Sequence, residues 1–178
     1  MTKRPRVVAI GETGLDFHYD HSPRDVQHRV FEAQVALAVE LDRPLVLHGR
    51  GAHPEALALL AAHRGPRLRG VAHCFSGDAP TALAYVERGF SIAVGGLATF
   101  KTADDVRAAA AAVPLDRLLL ETDCPFMAPV PHRGKRCEPA FMAATCAAVA
   151  RERGLDAGVL ARATSANAAR LFGFAVEA

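Results

Sequence analysis

The chain has 178 residues, 51% of them hydrophobic and 22% charged, which excludes a disordered chain and fits one domain, residues 1–178, with a sizeable core. Its formal net charge of +2 at pH 7 is too small to declare a nucleic-acid binder by electrostatics alone, although a bound metal can supply positive charge locally. No apolar stretch approaches the ~20 residues that span a bilayer, and the start MTKRPRVVAIGE has too short an apolar run for a signal peptide, so no membrane partner is expected and the cytoplasm is the expected location.

In chain order, the first element is the apolar strand RVVAIG (6–11), closed by Glu12. Ser22 to Asp25 then reads as a capping box with Pro23 at the first helical position. The apolar residues Val30, Phe31, Val35, Ala38 and Leu41 follow at helical spacing. PLVLHG (44–49) and RGVAHCF (69–75) are the next two strands. Asp78 opens a helix that Gly89 closes. FSIAVGG (90–96) is the fourth strand, and Thr102 to Asp105 offers a second capping box before an alanine-rich helix. DRLLLET (116–122) is the fifth strand. From Glu138 onward the pattern is helical, over 139–153, 156–163 and a last short helix through Phe172. The four cysteines, Cys74, Cys124, Cys137 and Cys146, form no CxxC pair and read as free thiols.

Near-continuously apolar strands alternating with helices predict an α/β fold with a parallel sheet. No GxGxxG follows the first strand and no GxxxxGK[ST] occurs, which argues against dinucleotide and P-loop folds. A TIM-type (β/α) barrel remains, in which chemistry collects at the C-terminal ends of the strands. About five strands are legible where a closed barrel has eight.

The polar residues at those strand ends carry the functional signal. Glu12, His48, His73 and Asp123 each end or follow a different strand, with Glu121 just ahead of Asp123. A lone histidine at a strand end is commonly structural, and a lone acid there is commonly a helix cap. Four such residues on one rim instead point to a divalent metal site for Zn²⁺, Mn²⁺ or Mg²⁺. His18 and His21 read as solvated loop residues, His28 and His63 as helix-surface residues, and His53 as a turn residue ahead of Pro54. Ser76 lacks both an orienting acid and the G-x-S-x-G elbow, and Cys124 reads as a buried, inert thiol. His132, Arg133, Lys135 and Arg136 lie on the Pro/Gly-rich loop PVPHRGKR, which reads equally as a solvated loop or as a phosphate-gripping one.

At these residues the sequence resembles the TatD family of metal-dependent deoxyribonucleases and hydrolases within the amidohydrolase superfamily. GETGLDFHYDHSP, RPLVLHGR, HCFSG, LLLETDCP, PVPHRGKRCEP and NAARLFG carry the likeness, in order, from Val7 to Phe172. The resemblance implies a distorted TIM barrel and hydrolysis of DNA phosphodiesters by metal-activated water, with one or two ions. It implies that Glu12, His48 and His73 are metal ligands, Glu12 bridging where two ions bind. Asp123 is implied as ligand to the other ion and as acceptor of the water's proton. Glu121 is implied as an orienting residue behind the ligands, and Arg50, Arg133 and Lys135 as phosphate contacts.

The sequence also departs from the family pattern. The family's H-x-H pair on its first strand is not found ahead of Glu12, and three strands ahead of the GE-x-GLD strand are likewise absent. The expectation is an N-terminally shortened barrel, lacking on the order of 80–100 residues by usual barrel proportions. Such a barrel exposes two strand edges and an apolar interior, and so invites homo-oligomers. Cys137 stands where the family usually has Asn, and Gly51 where an acid is common. Besides the nuclease, two functions stay open: a non-catalytic or one-metal protein that binds metal and oligomerises, and an ester or amide hydrolase, since fold does not choose substrate.

Overall fold

In the computed structural model, which describes residues 6–63, 65 and 67–175, strand and helix alternate as far as the fifth strand. Strand β1 (Ile10–Asp16) is followed by α1 (Arg24–Glu40), β2 (Leu45–Arg50) by α2 (His53–Ala62), and β3 (Gly70–Ala72) by α3 (Ala79–Glu87). Strand β4 (Phe90–Val94) leads through a 3-10 turn (Gly96–Thr99) to α4 (Asp104–Ala112). Strand β5 (Leu118–Leu120) precedes a long loop, then α5 (Met142–Arg153) and α6 (Ala157–Phe172). All neighbouring strands are parallel and the sheet order is β1-β2-β3-β4-β5. Strands adjacent in sequence are adjacent in space throughout. This single winding belongs to a TIM-type barrel, whereas a doubly wound sheet reverses its order.

The unbroken apolarity of the strands has its cause in two covered faces. On one face Leu15, Leu45, Leu47, Ile92 and Leu118 join a core with Phe31 and Val35 of α1, Leu60 of α2 and Tyr85 of α3. Every residue of β4 is buried. On the other face Val71, Ala93 and Leu119 pack against Ala168, Leu171 and Phe172 of α6. The apolar interior expected to lie open is therefore covered at these positions. Asn167 holds α6 in place, its side-chain amide donating to Leu115 O at 2.7 Å and Leu118 O at 2.8 Å. Arg170 adds a bond to Asp116 O at 2.6 Å. Strands β1 and β5 each have one neighbour among the described strands. No helix among the described residues is long and apolar enough to cross a membrane.

Several local expectations are corrected. The first strand begins at Ile10 rather than Arg6, because its pairing to β2 starts at Ile10 and Leu45, so Glu12 lies inside the strand and not at its end. Neither expected capping box forms. Ahead of α1 the carbonyl of Ser22 accepts from Gln27 Nε2 at 2.8 Å, and Gln27 also bonds Asp16, tying the helix start to β1 without a side-chain cap. Ahead of α4 the guanidinium of Arg107 organises the turn, bonding Phe100 O at 2.6 Å and pairing with Asp104. The cap at Asp78 does form, its carboxylate accepting from the Thr81 N–H at 2.9 Å, and Gly89 follows α3 at a φ of 85°. Val30 faces out, 51% exposed. Residues 157–172 are one helix rather than two, and the Thr164 hydroxyl within it folds back onto Leu160 O at 3.0 Å.

Candidate metal centre and adjoining cleft

Glu12, His48 and His73 are brought together by three neighbouring strands. The register between β1 and β2 shifts between Gly11 and Thr13, and such an irregularity re-aims a side chain out of the ladder. Gly14 then lets β1 lie close on β2, because a Cβ there would collide with the His48 carbonyl oxygen. His48 lies on β2, and His73 is the first residue past β3, its N–H donating to Leu47 O at 2.9 Å. Glu12 Oε1 is 2.9 Å from His48 Nδ1 and 3.1 Å from His73 Nε2. One ligand atom from each of the three residues lies within 4.8 Å of the others. Two imidazole nitrogens and a carboxylate oxygen at this spacing fit one divalent ion of the Zn²⁺ or Mn²⁺ kind. The Glu12 side chain is 51% exposed and that of His73 only 12%, so an ion would enter from the Glu12 side.

Each histidine is backed by a carboxylate on its far nitrogen. Asp16 Oδ2 lies 3.0 Å from His48 Nε2, and Glu121 Oε2 lies 3.3 Å from His73 Nδ1. Glu121 is itself fixed by the Cys74 N–H, which donates to its other oxygen. This arrangement sets the tautomer and aims the ligating nitrogen. Glu121 thus stands where it can orient a ligand. Asp16 was not singled out from sequence. The signal was the second acid of GETGLD, hidden because the strand was ended too early.

The electrostatics follow from this packing. Burial opposes charge on His73, but the Glu121 bond and charge, with Glu12 and Asp123 nearby, carry its pKa up to about 9. Burial likewise opposes charge on Asp16, but the Tyr19 N–H, His48 and the His18 N–H outweigh it and lower its pKa. Burial, together with the charges of Glu121 and Asp123, pushes the Cys74 thiol up to about 12, so it is inert as a nucleophile. Burial raises Asp123, with Glu121 and Glu12 adding to the rise and His73 opposing it.

Asp123 lies beyond β5 at a φ of 51°, with the Cys74 thiol 3.7 Å from its Oδ2. It stands beside the three-residue group and is not among the atoms within mutual ligand reach. It lines a cleft of about 610 Å³ together with Arg50, Arg133 and Lys135. The three cations expected on sequence grounds therefore share one cleft with Asp123. Arg50 lies over the ring of Tyr19 at 4.8 Å, and Arg133 over Phe100 at 4.2 Å. The 3-10 turn Gly96–Thr99 seats the loop that carries Phe126 and Met127. A Cβ at Gly96 would collide with Met127 O, and the Thr99 hydroxyl accepts from the Val130 N–H at 2.8 Å.

The remaining candidates fall outside the metal group. His18 and His21 are exposed and pack on Tyr19. His53 is no turn residue: it starts α2, sits between Phe75 and Tyr85, and bonds the Tyr85 hydroxyl at 3.2 Å, its pKa lowered by burial. His132 stacks on Phe141 at 3.8 Å, Ser76 and Arg136 are exposed, and Cys124, expected to be buried, is exposed on the loop beyond β5.

Residues 1–173 match the family model described as TatD related DNase. The chain is 40% identical to the uncharacterized metal-dependent hydrolase YabD of Bacillus subtilis, over 97% of this chain and 68% of that protein. It is 42% identical to the uncharacterized metal-dependent hydrolase YcfH of Escherichia coli, over 93% of this chain and 63% of that protein. It is 38% identical to the 3'-5' ssDNA/RNA exonuclease TatD of Erwinia tasmaniensis, over 97% of this chain and 68% of that protein. The solved structure of YJJV, a TatD homologue from Escherichia coli, superposes with a TM-score of 0.88 at 36% identity, over 95% of this chain and 65% of that one. The chain spans 63–68% of the length of these three relatives.

Proposed function

This chain belongs to the TatD-related DNase family, and on that premise we propose that it is a metal-dependent hydrolase that cleaves phosphodiester bonds of DNA. Glu12, His48 and His73 would hold the ion, and Asp16 and Glu121 orient the two histidines. When bound there, a divalent ion would make a water more acidic near neutral pH and add positive charge against the phosphoryl oxygen. Asp123 takes the proton of the attacking water. Arg50, Arg133 and Lys135 bind the substrate's phosphates, where charge-assisted bonds are strongest. No serine or cysteine nucleophile is needed, which accords with the high thiol pKa of Cys74. The names of the relatives support this reading: two are metal-dependent hydrolases and one is a 3'-5' ssDNA/RNA exonuclease. A cytoplasmic location is part of the proposal and fits four free thiols.

The observation that carries it is the meeting of the Glu12, His48 and His73 ligand atoms within 4.8 Å, beside a cleft lined by Asp123 and three cations. Calorimetric metal titration and cleavage of an end-labelled oligonucleotide with Mg²⁺, Mn²⁺ or Zn²⁺ test it. One ion per chain and metal-dependent cleavage, both lost in His48→Ala, are expected. Metal binding without cleavage of DNA, but with turnover of a small ester or amide, would make it a related amidohydrolase instead.

A second reading has its own observation. Asp123 stands outside the three-ligand group, and β1 and β5 each have one neighbour among the described strands. A one-metal, non-catalytic protein that self-associates along those strands would show a dimer or larger species in sedimentation and no cleavage under single-turnover conditions. Cleavage that disappears in Asp123→Asn rules this reading out.

A further inference from the structure

We propose that Phe126 is a platform for an unpaired nucleobase, so that the cleft reads a base face as well as the phosphate backbone. The proposal rests on the reading that the cleft binds nucleic acid, and it adds the residue that would make binding depend on bases.

Three aromatic rings line the cleft, and they are not equivalent. Tyr19 is already engaged, with Arg50 over it at 4.8 Å and the ring of His21 stacked parallel at 5.4 Å. Phe100 carries the guanidinium of Arg133 at 4.2 Å. Phe126 is 68% exposed, and among the described residues no ring or guanidinium stacks on it. A solitary exposed phenylalanine on a loop is ordinary in itself. What distinguishes this one is its seat. Its N–H donates to Asp123 O at 2.9 Å, which fixes it one tight turn from the proposed proton acceptor. The next residue is pressed against Gly96, so the loop cannot retreat toward the sheet. The same cleft holds Arg50 and Lys135 for phosphates.

Cations that track a backbone beside an aromatic ring with a free face are how single strands are bound without sequence preference, since every base has a π-face. A base inside a duplex has both faces covered by its neighbours, so the ring can reach only an unpaired or terminal base. Phosphates on Arg50 and Lys135 with a base on Phe126 would place the nucleotide next to Asp123.

The test is fluorescence anisotropy, in EDTA so that no cleavage occurs, with a labelled oligothymidine and an abasic deoxyribose-phosphate strand of equal length. The wild-type chain is expected to bind oligothymidine more tightly than the abasic strand. Phe126→Ala should weaken oligothymidine binding roughly five- to a hundredfold and leave abasic binding nearly level. Phe126→Trp should restore the preference, which a merely structural role would not do. Equal wild-type affinity for the two strands, an equal loss for both in Phe126→Ala, or no binding of either strand overturns the proposal. Metal-dependent cleavage is scored separately. Cleavage without base preference sinks only the platform, whereas base-dependent binding without cleavage sinks only the nuclease reading.

Discussion

The histidine side and the aspartate side of the rim are held in different ways. His48 and His73 stand on or beside strands, each backed by a carboxylate at 3.0 Å or 3.3 Å. Asp123 stands in a proline-rich turn at positive φ, touched by a thiol at 3.7 Å. Aspartate tolerates that backbone region better than most residues, but a thiol is a weak donor. The histidine side is therefore aimed before an ion arrives, and the aspartate is free to adjust to whatever the ion and substrate bring. Ligand binding and proton transfer should respond to different substitutions.

The largest separation is expected for Asp123→Asn. Single-turnover cleavage should fall by about 10²–10⁴-fold, the usual worth of a general base, while calorimetric metal affinity stays close to wild type. A parallel collapse of metal affinity would erase the distinction between the two sides. Acidity comes next. In the metal-free chain the His73 pKa is raised from 6.5 to about 9, and an ion must displace that proton. Apparent metal affinity should thus rise about tenfold per pH unit until pH approaches 9, with about one proton released on binding. Because the folded-state pKa lies above the unfolded one, the proton's contribution to stability is complete below about 6.5 and is lost as pH rises through about 9. The metal-free melting temperature should fall across that window, and His73→Asn should flatten the fall.

Glu121→Gln and Asp16→Asn should each weaken metal binding by about 10- to 100-fold through loss of ligand aim. A smaller loss than for a distant surface variant would show that the carboxylates behind the histidines are idle. The smallest change belongs to Cys74→Ala. The thiol contact to Asp123 is worth less than about 1 kcal/mol, so metal affinity and melting temperature should move little. A large drop in cleavage would mean that the aspartate is more firmly positioned than its contacts suggest.

Much of this site was readable in the chain because strands buried on both faces announce themselves as apolar runs, and polar residues at their ends stand out. His48, His73 and Asp123 stand out that way, and the structure brings the two histidines within ligand reach of Glu12. Glu12 stands out as a strand end, although the strand runs on past it. Gly11 and Gly14 allow β1 to press on β2, and it is the pairing from Ile10 to Leu45 that starts the strand. Asp16 was missed with it. The unformed caps at Ser22 and Thr102 show the same limit, since Gln27 and Arg107 took over those turns through contacts that local pattern does not encode. The covering of the inner face by Ala168, Leu171 and Phe172 depends on Asn167 reaching Leu115 and Leu118 across a separation of 52 and 49 residues. No periodicity reports a contact of that range.

The seating of Met127 against Gly96 bears on how this cleft could be re-engineered. Phe126 is not among the loop residues at positive φ, whereas Asp123 and Met127 on either side of it are, so on the proposed reading the ring at position 126 is the side chain that can be swapped for another reader of a base. Gly96 cannot follow, because any side chain there would push the loop outward and carry position 126 away from Asp123. Preference is adjustable on one segment and its alignment is stored on another, about thirty residues earlier in the chain. A library that varies position 126 while keeping Gly96 and Thr99 fixed would explore new preferences without losing the alignment, and one that includes Gly96 would mostly sample misaligned clefts.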